Sequence, residues 1–200
     1  MSRLLLGTKN EGKIAEAAEL LAGLKGLELL SFADLPFADV DETGETFLDN
    51  ALLKARTIGA ETGLPVLAED AGLEVGHLGG APGVLSARFS GEPVDYRRNN
   101  DLLLQKLEGV DDRRARFVAV AALWLPDGQV FISTGVLRGI ISVAPAGTEG
   151  FGYDPLFVPE GGSRTLAEMS LMEKNRISHR KHALQRMGPI LLDLLASGEF

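Results

Sequence analysis

Two acidic pairs, Asp41-Glu42 and Glu69-Asp70, have the composition of a divalent-metal site. Glu69-Asp70 follows the apolar run Pro65–Ala68, a predicted buried strand, and precedes Ala71-Gly72. Strand ends in α/β sheets are where ligands bind, and glycine permits close backbone approach. Mg²⁺ typically takes one or two carboxylates together with substrate phosphates, and a carboxylate can also accept a proton from an attacking water. A solvated surface role for these acids is the alternative.

A second candidate is the segment Gly7–Lys13, between a predicted strand and a predicted helix. The first N–H groups of a helix have no partner inside the helix and lie at its positive end, so they bind anions such as phosphate. Lys13 adds a full charge one turn into the helix. An ordinary capped helix with solvated lysines is equally compatible with this segment.

The same segment follows the P-loop spacing G-x-x-x-x-G-K-[ST] up to its last position, so a P-loop kinase or NTPase is a rival prediction. Two features count against it. Ile14 stands where the hydroxyl for Mg²⁺ is required, and Thr8–Glu11 places bulky side chains where a P-loop wraps backbone around phosphates.

Further along the chain, Gly150–Pro155 interleaves aromatic residues with glycines. Phe151 could stack on a nucleotide base, while the neighbouring backbone groups could bind the edge of that base. The alternative, favoured when the segment is considered alone, is a turn whose aromatic rings fill the core.

Residues 173–182 concentrate positive charge in a chain that is acidic overall. Lys174 could act as a point charge on phosphate, and Arg180 offers a planar fork of donors. Metal ligation by His179 is not expected, because no matching His or Cys partner is apparent. A solvated helix face is the alternative, and it is the preferred one for Lys181 and His182.

The elements that must position these residues alternate between strand and helix early in the chain, and an antiparallel pair follows. This order predicts an α/β fold with a mixed central β-sheet. The predicted strands are Arg3–Leu6, Leu27–Phe32, Val66–Ala68 ending at Glu69-Asp70, Phe117–Leu125, Gln129–Leu137 and the apolar run Tyr153–Val158. The predicted helices run from Asn10 to about Leu24, from a capping box at Thr46 to about Thr62, over Val94–Leu107, and from Ser178 onward, with a kink or break at Gly188-Pro189.

Composition excludes several classes of protein. The 200 residues are 45% hydrophobic and 24% charged, as in ordinary globular proteins. No apolar run reaches the roughly 20 residues that cross a bilayer, and the start of the chain is too short an apolar stretch for a signal peptide. The net charge of −8 argues against general nucleic-acid binding, and the lack of cysteine excludes disulfides and thiolate zinc sites. A soluble cytoplasmic protein is expected.

Taken together and in order, these motifs resemble the inosine triphosphate pyrophosphatase family, whose members hydrolyse non-standard purine nucleoside triphosphates. The resemblance spans nearly the whole chain. Its motifs are Thr8–Lys13; Glu42-Thr43-Gly44 with Phe47, Asn50, Ala51, Lys54 and Ala55; Ala68–Leu73; Gly79–Gly83 with Ser86-Ala87-Arg88; Phe151–Pro155; Ala167-Glu168; Lys174; and Ser178-His179-Arg180. Each motif is weak alone, but the ordered set is specific.

The resemblance implies one domain over residues 1–200, with helices flanking the sheet, two lobes, an active-site cleft between them, and a homodimer. It implies that water attacks the α-phosphorus of dITP, ITP or XTP in preference to ATP, releasing pyrophosphate and a nucleoside monophosphate. Glu42 and Asp70 would hold Mg²⁺, and Asp70 would be the catalytic proton acceptor. The implied substrate-binding residues are Thr8, Lys9, Asn10, Glu11, Gly12, Lys13, Ala71, Phe151, Gly152, Tyr153, Asp154, Lys174, His179 and Arg180.

Three positions depart from the family's usual residues. Glu69 is one methylene longer than the usual aspartate, Ala71 lacks a hydroxyl that would contact substrate, and Glu149 stands where glycine is frequent. A non-catalytic nucleotide sensor using the same pocket is the rival from outside the enzymes, although the full carboxylate set favours turnover.

Overall fold

The structure, a computed structural model, describes residues 2–198. The sheet has six strands: β1 (Ser2–Leu6), β2 (Leu27–Leu30), β3 (Val66–Val75), β4 (Arg114–Trp124), β5 (Val130–Ile141) and β6 (Phe157–Pro159). Their order across the sheet is β2-β1-β3-β4-β5-β6. The helices are α1 (Glu11–Leu21), α2 (Phe47–Thr62), α3 (Tyr96–Lys106), α4 (Leu171–Asn175) and α5 (His179–Ser197).

The sheet is mixed, as predicted. β1 pairs in parallel with β2, with Leu4 opposite Leu29, and in parallel with β3, with Leu5 opposite Val66. β5 pairs antiparallel with β6, with Ile140 opposite Val158. β4 and β5 are neighbours joined by residues 125–129, and a connection this short joins antiparallel strands, because parallel neighbours need a crossover of a dozen residues or more.

Two compact units can be distinguished. The first contains residues 2–70, 119–135 and 180–198, and the second contains residues 71–118 and 136–179.

In the first unit, helices α2 and α5 pack against strands. A Cβ added at Gly7, which follows β1, would lie 2.9 Å from Val66 of β3 and 3.3 Å from Ile58 of α2, so only glycine permits this close packing. Gly59 of α2 similarly leaves room for the ring of Trp124. The Ser133 hydroxyl of β5 donates to the carbonyl of Ala183 in α5 at 2.9 Å.

The second unit has its own core, formed by the far ends of β3, β4 and β5 together with β6 and α3. Its buried members include Leu73, Val75, Leu103, Leu107, Phe117, Ile141, Leu156 and Phe157. The rings of Phe117 and Phe157 lie 4.7 Å apart, centroid to centroid.

Three predictions about the elements differ from the structure in whole or in part. β3 does not end at Glu69-Asp70 but continues to Val75, because Leu73 and Val75 supply the alternating buried side chains of a strand. Of the kink or break predicted at Gly188-Pro189, the break does not occur, because α5 runs through Pro189. The apolar run from Tyr153 forms a strand only over Phe157–Pro159, since the preceding residues form a turn.

No helix within residues 2–198 is long and apolar enough to cross a membrane.

Candidate functional site

The predicted phosphate segment forms the connection from β1 to α1 in the first unit. Asn10 is the N-cap of α1, and its side-chain oxygen accepts a hydrogen bond from the N–H of Lys13 at 3.0 Å. The N–H of Asn10 in turn donates to the Thr8 hydroxyl at 3.2 Å. These bonds hold the loop in the orientation that presents a helix N-terminus, which is the arrangement an anion site requires.

Lys13 lies close to β3. Its ammonium is 3.5 Å from the carbonyl oxygen of Glu69 and 3.8 Å from the Glu69 carboxylate. Burial lowers the pKa of Lys13, and the nearby charges of Lys54 and Arg180 lower it further, while Glu69 opposes the shift. A phosphate group at this lysine would add negative charge beside three cationic side chains, those of Lys13, Lys54 and Arg180.

The two predicted metal ligands face the same ammonium group. Lys54 Nζ on α2 lies 2.7 Å from Glu42 Oε1 and 3.1 Å from Asp70 Oδ1. Asn50, one helical turn earlier, donates to Asp70 Oδ2 at 3.3 Å and accepts from the N–H of Gly44 at 2.8 Å. The helix begins at a capping box between Thr46 and Asp49, as predicted, and this start places Asn50 and Lys54 on its buried face.

Asp70 is 5% exposed, so its ionised form has lost most of its hydration. Burial raises the pKa of Asp70 and the Glu42 charge adds to this, while Lys54 and Lys13 oppose it. A buried carboxylate with a raised pKa is suited to accepting a proton.

A buried ion cluster in the same unit contains Arg180, Glu69 and Glu16. The Arg180 guanidinium donates to both carboxylate oxygens of Glu69, at 2.8 and 2.6 Å, and a third donor reaches the Glu16 carboxylate. Burial alone would lower the pKa of Arg180, but Glu69 and Glu16 hold it above its ordinary value. Both carboxylate oxygens of Glu69, which is one methylene longer than the family's usual aspartate, thus accept hydrogen bonds from Arg180.

The second unit holds the aromatic segment. Asp154 accepts from the N–H of Phe151 at 2.8 Å and from Lys174 Nζ at 2.6 Å, and Asp154 and Lys174 are each 2% exposed. The Lys174 ammonium also lies 4.7 Å from the centre of the Phe151 ring. A Cβ at Gly150 would overlap the Asp154 carboxylate, so glycine is required there.

The two aromatic residues of this segment differ in their surroundings. Tyr153 is buried, and its hydroxyl donates to the carbonyl of Ser86 at 2.9 Å. Burial also raises the pKa of Tyr153. Phe151 is only partly buried and lies 6.4 Å from the ring of Tyr96. Tyr153 thus supports the turn from the core, and Phe151 is the more exposed of the two rings.

The remaining predicted residues of this unit lie on its strands and helices. Ala71 lies within β3, and His179 begins α5, where its ring stacks on Phe117 at 4.8 Å. Glu149 does not disturb its turn, because within residues 2–198 only glycines have positive φ, and Gly147 and Gly150 take these positions.

The sequence did not predict the ion pairs that Glu16 and Lys54 form in the first unit. Glu16 falls beside the apolar face of α1, and its charge gave no sign of burial; Lys54 belonged to a motif but had no assigned role. Across the part of the chain that is described, no group of three or more His, Cys, Asp or Glu side chains is arranged to hold a metal. The predicted pair of carboxylates is a smaller set and stays a prediction.

Comparisons with known proteins agree with the resemblance inferred from the motifs. The family model described as "Ham1 family" matches residues 4–190. A dITP/XTP pyrophosphatase of Streptomyces avermitilis is 49% identical over 203 residues, covering 98% of this chain and 100% of that protein. One from Thermus thermophilus is 51% identical over 188 residues, covering 92% and 89%.

The solved structures that resemble this chain include Ham1 proteins as well. A Ham1 protein from Coxiella burnetii superposes with a TM-score of 0.87 at 39% identity, covering 96% of this chain and 100% of that one. The Staphylococcus aureus Ham1 protein gives 0.85 at 36% identity, covering 95% and 98%. The family prediction and the mixed α/β fold with helices flanking the sheet are confirmed. This chain belongs to the Ham1 family.

Proposed function

We propose that this protein hydrolyses non-standard purine nucleoside triphosphates, namely dITP, ITP and XTP, to nucleoside monophosphate and pyrophosphate, and so removes them from the nucleotide pool. Its near-full-length similarity to dITP/XTP pyrophosphatases supports this. The observation that carries it is the buried Asp70, whose raised pKa suits a base and whose neighbours Glu42 and Lys54 are held within hydrogen-bonding distance of one another.

The donor set fits Mg²⁺, although the metal requirement is itself a proposal. Glu42 and Asp70 supply hard carboxylate oxygens, and both lie within 3.1 Å of one ammonium, so a cationic group is already accommodated between them. Two carboxylates complemented by substrate phosphates are a usual Mg²⁺ arrangement. When bound there, Mg²⁺ would neutralise charge on the phosphates and on the departing pyrophosphate.

In the proposed reaction Asp70 takes a proton from water as the water oxygen bonds to the α-phosphorus. The bond from the α-phosphorus to the bridging oxygen breaks, and its electron pair leaves with pyrophosphate. Lys13 and the N-terminus of α1 bind phosphate charge, and Asn50 orients the Asp70 carboxylate through its 3.3 Å hydrogen bond. Lys54 lowers the cost of keeping two carboxylates close together.

We assign base binding to the second-unit residues Phe151, Gly152, Asp154, Lys174 and His179, with Phe151 as the stacking ring. Backbone and charged donors that pair with the 6-keto oxygen of hypoxanthine or xanthine would be left without an acceptor against the amino group of adenine. Such an unpaired donor gives strong discrimination, which supports rejection of ATP.

Homodimerisation and a cytoplasmic location are further parts of the proposal, and the family resemblance alone supports them. Light scattering of the purified protein tests the first; a mass of about 21 kDa, that of one chain, would contradict it.

The decisive experiment is product analysis with dITP, ITP, XTP, ATP and GTP in ¹⁸O-labelled water, with and without Mg²⁺. We expect pyrophosphate, with the label only in the monophosphate, because attack is at the α-phosphorus. Orthophosphate release or phosphoryl transfer to an acceptor would instead identify a P-loop-type NTPase or kinase, and binding without turnover would identify a nucleotide sensor.

Glu42→Gln should inactivate the enzyme, whereas Asp41→Asn, a change at the exposed neighbouring acid, should not.

A further inference from the structure

Lys9 belongs to the predicted phosphate segment, but its ammonium group is engaged elsewhere in the first unit. Lys9 Nζ lies 4.5 Å from the ring centre of Phe32, 5.7 Å from that of Phe37 and 2.8 Å from the Asp39 carboxylate. These three partners all belong to the chain that connects β2 to α2. The side chain therefore joins the β1–α1 loop to a separate part of the sequence.

The aromatic contacts carry more of this attachment than the ion pair does. The Asp39 side chain is 89% exposed, and ion pairs with so exposed a partner contribute little. Phe32 and Phe37 pack edge to face at 5.2 Å, and Phe37 is 7% exposed. A cation over partly desolvated rings is attracted more strongly than one in water.

The segment that Lys9 contacts is residues 31–41, the first part of the connection from β2 to α2. We call it the 31–41 connection, and it leads directly to Glu42. It begins with a turn in which Asp34 accepts from the N–H and hydroxyl of Ser31, and the N–H of Ala38 donates to Glu61 of α2 at 3.1 Å. Glu42 follows Asp39 by three residues and reaches Lys54. Residues 35–46 include no helix or strand, so side-chain attachments such as these determine where Glu42 lies.

We propose that Lys9 is a positioning residue: its side chain holds the 31–41 connection on Phe32 and Phe37 so that Glu42 stays beside Asp70, and its ammonium does not bind phosphate. The effect of Lys9 on turnover, through the position of Glu42, rests on the proposed pyrophosphohydrolase activity. The attachment of the 31–41 connection by Lys9 does not depend on that activity.

The attachment is tested by limited chymotrypsin digestion without nucleotide. Lys9→Met keeps the side-chain length and leaves every aromatic cleavage position intact. We expect cleavage after Phe32 or Phe37 to become about two- to fivefold faster, and Lys9→Arg to restore resistance. Lys25→Met, at an exposed lysine of the same unit, is the matched control and should leave the rate unchanged. Unchanged cleavage in Lys9→Met would overturn the proposal.

The second arm is a double-mutant cycle with Phe32→Leu, which keeps apolar bulk and removes the ring. If Lys9 acts through Phe32, both single variants lower kcat similarly, and the double variant is no worse than either. A phosphate ligand gives the opposite result: Lys9→Met raises KM, Phe32→Leu has little effect, and the two effects add. If the unaltered protein turns over no triphosphate, the proposed function fails, while the digestion still decides the role of Lys9.

Discussion

The Lys54 ammonium lies 3.1 Å from the Asp70 carboxylate, and both side chains are less than 10% exposed. The same ammonium contacts Glu42 at 2.7 Å. A carboxylate whose pKa is raised by burial thus remains next to a second carboxylate because one lysine lies between them. This relationship gives the first two predictions.

Asp70→Asn should lower kcat by about 10²–10⁴-fold, the usual contribution of a general base, while dITP still binds.

The same variant should melt at a higher temperature than the unaltered protein at pH 8. The raised pKa means that the folded state binds the Asp70 proton more tightly than the unfolded chain does, so ionisation costs stability as pH rises above the ordinary aspartate pKa of 3.8. The gain should therefore shrink as pH is lowered toward the carboxyl range. Near-normal turnover, or a lower melting temperature at pH 8, would contradict this account.

Lys54→Met should lower the free energy of unfolding by about 3 kcal/mol, because it leaves two carboxylates close together without their shared cation. Urea denaturation measures this, and millimolar Mg²⁺ should recover part of the loss if Glu42 and Asp70 are metal ligands. Arg116→Met is the control, since the Arg116–Glu74 pair is more exposed and its loss should cost less than about 1 kcal/mol. Equal losses in the two variants would show that burial does not strengthen the Lys54 contacts.

Glu16→Gln should destabilise the protein by about 1–3 kcal/mol, because the buried Arg180 loses a charged acceptor while the shape is kept. Thermal or urea unfolding tests this. Glu28→Gln, at an exposed position on β2, should change stability by less than about 0.5 kcal/mol. A stability loss no larger than that of Glu28→Gln would mean that Arg180 does not depend on the charge of Glu16.

Ala71→Ser restores the hydroxyl that the family usually has at this position of β3. One added hydrogen bond to substrate should lower KM for dITP about three- to tenfold, with the fold of the protein unchanged. Steady-state kinetics with dITP and ITP provides the measurement. An unaltered KM would mean that the backbone at residue 71 already makes the contact.

Local signals in the sequence were sufficient to predict where several helices begin or end. Thr46 and Asp49 form the predicted capping box, and Gly63 ends α2 with a φ of 69° that glycine adopts readily. Asn10 likewise caps α1. In these cases the interacting groups lie within a few residues of one another, so the pattern contains the whole interaction. The ordered motifs likewise identified the family.

Tertiary structure alone decided which groups meet. Glu16 and Arg180 are separated by 164 residues, Lys9 and Asp39 by 30, and Lys54 and Asp70 by 16. The continuation of β3 through Asp70 to Val75 also depended on burial against the rest of the second unit. Sequence by itself determined which side chains could do chemistry. Their burial, their pKa shifts and their ion partners depended on folding, because each requires groups from distant parts of the chain to exclude water together.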